Sequence, residues 1–138
     1  MSDIVLGIDL GTTNSVVSVA DGTQVRVLSD EGGHRLVPSV VSFHPEKRVL
    51  VGDEARSRRL IDAKNTIYSV KRLIGRPFKS PEVQRAQQRF AFELRESPNG
   101  GVLVVARGET YTLTEISAFV LREVRRVAEQ ALGQVVTR

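Results

Sequence analysis

No cysteine occurs in the 138 residues, so the chain has neither a disulfide framework nor a thiolate metal site. Its two histidines, His34 and His44, have no companion at ligand spacing, and structural zinc is set aside with the thiolates. Tryptophan is absent, and aromatic residues make up 5% of the chain. Long apolar runs are missing too: eighteen consecutive apolar residues occur nowhere, and Met1-Ser2-Asp3 is not the basic opening of a secretory signal. No membrane partner is expected, and the expected location is cytoplasmic.

Acidic residues are scarce in one stretch. Lys and Arg number 20 against 16 Asp and Glu, for a formal net charge of +4. Ten of the basic residues fall between Arg56 and Arg89, where the acids are Asp62 and Glu82; elsewhere acids outnumber bases. Such a stretch reads first as solvated helix faces. It brings few aromatics on which bases could stack, so no nucleic-acid partner is expected.

What is there is an ordinary globular composition, 41% hydrophobic, enough for one sizeable core. Ile4 to Leu10 and Val16 to Ala20 read as strands, with Asp21-Gly22 as the hairpin dipeptide leading into Gln24 to Leu28. Loop follows from Asp30 to Arg35, then extended pieces at Val40 to Phe43 and Val49 to Val51. Asp53 to Ile61 is predicted as a helix. Asn65 reads as the N-cap of another over Thr66 to Ile74, stopped by Gly75 and Pro77. Ser80-Pro81-Glu82 opens a third. Phe90, Phe92 and Leu94 alternate with Ala91, Glu93 and Arg95, and Val102 to Arg107 and Thr110 to Leu113 complete a second meander. Thr112 and Glu115 have capping-box spacing ahead of an apolar helical face that runs from Ile116 to Leu132 and ends at Gly133. Val135 to Arg138 then begins something extended, as if an element were cut. The fold class is mixed α/β.

One stretch carries chemistry: "GIDLGTTNS", residues 7 to 15. It lacks the Lys-Ser/Thr pair of a Walker loop and the three glycines of a dinucleotide fingerprint, and a strand follows where both would place a helix. The turn Gly11-Thr12-Thr13-Asn14 is either a plain hairpin connection or a nest of backbone N–H groups for a phosphate. Glycine admits close approach of the backbone, and threonine hydroxyls can donate. Asp9, inside an apolar strand, calls for neutralisation, pairing or a metal such as magnesium. Lys71 stands four residues after Ile67 and three before Ile74, on a shared helix face, and is either a snorkelling stem or a functional cation.

"GIDLGTTNSVVSV" resembles the first phosphate-binding element of the actin and sugar-kinase superfamily. With "PSVVSF", "NTIYSVKRLIGR" and "EISAFVLREVRRVAEQALG" the chain resembles the DnaK-type heat-shock chaperones of the seventy-kilodalton class. The resemblance runs nearly end to end and implies part of an actin-like, ribonuclease H-like ATPase lobe. Residues 1–38 would begin its lower subdomain, 39–114 would form an α+β upper subdomain, and 115–138 would return to the lower one.

Carried over by position, the resemblance makes Lys71 the catalytic lysine at the γ-phosphate. Gly11, Thr12, Thr13 and Asn14 become the turn around the phosphates of ATP or ADP. Asp9 becomes the aspartate that organises magnesium and potassium through water. The family implies coupling of ATP hydrolysis to binding and release of unfolded polypeptides, with a J-domain co-chaperone and a nucleotide-exchange factor as partners. Its second phosphate loop, adenosine-binding lobe and peptide-binding domain are expected beyond Arg138, so an isolated piece is expected to be inactive and prone to self-association. Gly32-Gly33-His34-Arg35-Leu36 departs from the family's commoner loop, which bears on exchange-factor pairing. The alternative reading is a non-catalytic module that docks an exchange factor or partner chain.

Overall fold

Strand β1 (Leu6–Leu10) runs antiparallel to β2 (Asn14–Asp21), which pairs in turn with β3 (Gln24–Val27). These elements belong to a computed structural model that describes residues 4–137; the readings made at Met1–Asp3 and Arg138 lie outside the described residues. Asp21 pairs with Gln24, so the hairpin turn is Gly22-Thr23, with glycine at φ +63°. The short strand β4 (Val37–Pro38) pairs with the start of β2 and completes the first sheet.

A second sheet has β5 (Val40–Phe43) between β6 (Val49–Val51) and β7 (Thr66–Tyr68). The short helix α1 (Asp53–Ser57) follows β6, and α2 (Pro81–Arg89) precedes the third sheet, in which β9 (Val102–Ala106) lies between β8 (Glu93–Glu96) and β10 (Glu109–Thr112). Helix α3 (Leu113–Leu132) closes the described structure. Its capping box forms as predicted: Glu115 N–H donates to Thr112 Oγ1 at 3.0 Å and Thr112 N–H to Glu115 Oε1 at 3.1 Å.

The apolar face of α3, with Ile116, Val120, Val124 and Val127 buried, is the common wall of the molecule. One hydrophobic cluster joins it to Val17 and Val19 of the first sheet, Val41, Phe43 and Ile67 of the second, and Leu94 and Val104 of the third. Phe43 stacks on Tyr111 at 4.5 Å and meets Phe119 edge-on at 5.8 Å, tying the second sheet to the third and to α3. Alternation in β2 sets the two faces of the first sheet. Ser15, Val17 and Val19 are buried, and Val16 and Ser18 look to the other side. Through the register Gly7↔Ser18 and Asp9↔Val16, Asp9 lies on that other face.

Two helix expectations are corrected. Thr66 to Ile74 is not a helix: Thr66–Tyr68 is strand, and a 3₁₀ turn covers Val70–Leu73. Thr66 and Ile67 are β-branched and completely buried; the Thr66 hydroxyl bonds Ser42 Oγ at 2.9 Å and the Asp62 carbonyl at 2.8 Å. Ser69 at φ +57° then bends the chain out of any helical path. The helix begun at Asp53 stops at Ser57, because Leu60 and Ile61, which prolonged its apolar pattern, are 96% and 75% exposed with nothing to pack on.

Asp62 sits where that helix was expected to end and does different work. Its carboxylate receives Asn65 Nδ2 at 2.8 Å, Arg58 Nη2 at 3.3 Å and the Arg107 guanidinium, and Arg107 Nε also donates to the Phe43 carbonyl at 2.9 Å. Burial alone would raise this carboxyl. Bonds from Asn65 and Arg58 and the charges of Arg107 and Arg58 outweigh burial and hold it below its ordinary 3.8. The unfolded chain therefore binds the proton more readily. The contribution is complete above the ordinary carboxylate value and is lost as pH falls through the lowered folded value. Asp62→Asn is expected to cost about 1–3 kcal/mol at neutral pH and far less in strong acid, as read from urea midpoints under both conditions.

Candidate functional site

The β1–β2 connection is built around a close approach that admits only glycine. A methyl group on Gly11 would lie 2.2 Å from the backbone oxygen of Asn14, far inside van der Waals contact. Ser39, the residue between β4 and β5, holds the turn from beneath. Its Oγ donates to the Gly11 carbonyl at 2.9 Å, its N–H donates to the Thr13 carbonyl at 2.8 Å, and its hydroxyl meets the buried Ser15 Oγ at 3.0 Å. Two carbonyls of the turn are thereby directed inward. The N–H groups of Thr12 and Thr13 donate to no other described residue, which is how a nest is prepared for an acceptor from outside. Thr13 itself is exposed, as are Asp9 and Lys71.

Lys71 reaches the same turn by a route the sequence pattern did not give. In the 3₁₀ turn Val70–Leu73, Val70 and Leu73 are buried and act as anchors, so Lys71 and Arg72 between them point outward. The Lys71 ammonium donates to the carbonyl of Leu10, one residue before Gly11 and one after Asp9. The structure therefore brings Asp9, the Gly11–Asn14 turn and Lys71 into one neighbourhood. Lys71 stands beside Ile67 and Ile74 through a strand and a tight turn, not on a helix face. Asp9 differs from its expectation in environment. It belongs to an apolar strand, yet the face it occupies is open, so burial does not force it to find a partner.

Ser39 is the residue of this neighbourhood that sequence reasoning missed. It was legible only as the opening of the β-rich run "PSVVSF", since its role depends on two strands of different sheets meeting at its backbone. The histidine reading changes as well. Asp30, His34 and Asp53 offer ligand atoms within 4.8 Å of one another, but Asp30 Oδ1 already accepts the N–H groups of Gly32 at 2.9 Å and His34 at 2.8 Å and orders its own loop. Those bonds, the one from His34 N–H first, hold the Asp30 carboxyl below its ordinary value. No described helix is long and apolar enough to cross a membrane.

Comparison with known proteins covers the same stretch of chain. The chain is 41% identical over 133 residues, 96% of its length, to the chaperone protein DnaK of Burkholderia cenocepacia (strain HI2424), and to the same degree to that of Burkholderia orbicola (strain MC0-3). It spans 20% of the length of each of these relatives. The Hsp70 protein family matches it over residues 5–138, from the first strand through the turn, Ser39, Lys71 and the whole of α3. By that match the chain belongs to the Hsp70 family.

Proposed function

We propose that Gly11–Asn14, Lys71 and Asp9 form the phosphate and metal side of an ATP site in a chaperone that couples ATP hydrolysis to binding and release of unfolded polypeptides. The observation that carries this reading is the polarity of the turn: Ser39 takes up two of its carbonyls, the N–H groups of Thr12 and Thr13 bond no other described residue, and an ammonium stands at its edge. In this role the turn cradles the phosphates of ATP or ADP. Lys71 places positive charge where the γ-phosphate develops negative charge in the transition state. Asp9, an exposed carboxylate, and the threonine hydroxyls are hard oxygen donors of the kind that suits magnesium and potassium. A bound magnesium would supply charge neutralisation at the phosphates.

Residues 1–38 and 115–138 then belong to the lower subdomain of an ATPase lobe and 39–114 to its upper subdomain. In this reading the chaperone works in the cytoplasm with a J-domain co-chaperone and a nucleotide-exchange factor. Phosphoryl transfer needs groups on both sides of the nucleotide, and the residues named here supply one side. The 138-residue chain is therefore expected to show no steady-state ATP hydrolysis, while millimolar magnesium pyrophosphate shifts the amide resonances of Gly11–Asn14. Turnover above a no-protein control that Lys71→Ala abolishes would show the site to be complete without a second side. Absence of any shift at the turn would remove the phosphate assignment.

A further inference from the structure

The basic stretch between Arg56 and Arg89 is not simply a set of solvated faces. A groove of about 450 Å³ runs between the 3₁₀ turn at Val70–Leu73 and α2, with Arg72 and Arg76 on one wall and Arg85 and Arg89 on the other. The helical wall follows from spacing: Glu82, Arg85, Ala86 and Arg89 lie at i, i+3, i+4 and i+7 and share one face. Glu82 is the one acid lining the groove, and it faces Arg76 at 3.6 Å. Arg76 Nε is held further by the Arg72 carbonyl at 3.0 Å. Among the described residues Arg72, Arg85 and Arg89 take part in no ion pair.

Four guanidinium groups gathered around a single carboxylate still repel one another, and a further carboxylate among them reduces that repulsion while accepting paired N–H bonds. The remaining lining is apolar, from Leu73, Ala86 and the rings of Tyr68 and Phe90. Those rings are already engaged. Arg59 lies over Tyr68 at 3.7 Å, Phe90 stacks on Phe92 at 4.3 Å, and Tyr68 meets Phe90 edge-on at 5.3 Å. Base stacking would compete with these contacts, whereas an aliphatic side chain can rest against them.

We propose that this groove docks an acidic polypeptide segment, its carboxylates on Arg72, Arg85 and Arg89 and an apolar side chain against Ala86 and the edges of Tyr68 and Phe90. None of the Gly11–Asn14 residues lines it, so the site is independent of the ATP reading.

Anisotropy of a dye-labelled Glu-Glu-Leu-Glu-Glu peptide, titrated with the 138-residue chain at low ionic strength, tests this. Saturable binding is expected, weakening steeply with added salt and by about tenfold or more in Arg85→Glu/Arg89→Glu. The double reversal Arg26→Glu/Arg48→Glu makes the same change of net charge at exposed positions and is expected to weaken binding by less than about twofold. Equal weakening by the two reversals, or no saturable binding, would overturn the proposal. So would tighter binding of an oligothymidylate of equal charge that the groove reversal abolishes, since the groove would then be a nucleic-acid site. Should the groove reversal unfold the chain, the amide-shift map of the unaltered chain decides: the peptide must move residues of Tyr68–Arg76 and Pro81–Arg89, and shifts centred elsewhere refute the assignment.

Discussion

Lys71→Ala is expected to lower ATP turnover by about 10²–10³-fold in a longer chain that joins these residues to the rest of an Hsp70 ATPase domain, with ATP affinity largely retained. On the proposed reading the ground state is held by many groups, among them the N–H donors of the turn. The ammonium matters most where charge grows during transfer. Single-turnover hydrolysis alongside an equilibrium nucleotide titration separates the two quantities. A parallel fall in both would make Lys71 an affinity residue. A fall in melting temperature would make it a structural one, which the arrangement argues against. The 3₁₀ turn is anchored by Val70 and Leu73, at 5% and 4% exposure, while the lysine between them is exposed.

Phe43→Ala is expected to cost about 3–5 kcal/mol, a large share of the stability of a chain this size. The ring is 4% exposed and touches Tyr111 and Phe119, so its loss opens a cavity where two sheets and α3 meet. Urea denaturation should show a lowered midpoint with an unchanged slope, and Phe43→Leu should lose about a third as much. A loss of less than about 1 kcal/mol would mean that the second and third sheets are stabilised separately.

Much of this architecture could be read along the chain because local and tertiary preferences agree. The capping box at Thr112 and Glu115, the proline opening α2 and the glycine-bearing hairpin after Asp21 each announce an element through chemistry within a few residues. Thr66–Tyr68 escaped because its partner β5 lies more than twenty residues earlier, and cross-strand pairing overrode a plausible cap at Asn65. The site divides the same way. Gly11 was legible as a close-approach residue from its neighbours. The contact of Lys71 with Leu10 and the grip of Ser39 join positions 61 and 28 residues apart along the chain, so only the folded topology could reveal them.

Ser39 is the one residue separating β4, in the first sheet, from β5, in the second. Lys71 follows β7 of that second sheet and rests its tip on the first. The turn between β1 and β2 is thus held by one residue at the junction of the two sheets and by another that follows a strand of the second sheet. The shape of the turn therefore depends on contacts made from residues 39 and 71, and it can be altered by substitution there without any residue of the turn itself being touched.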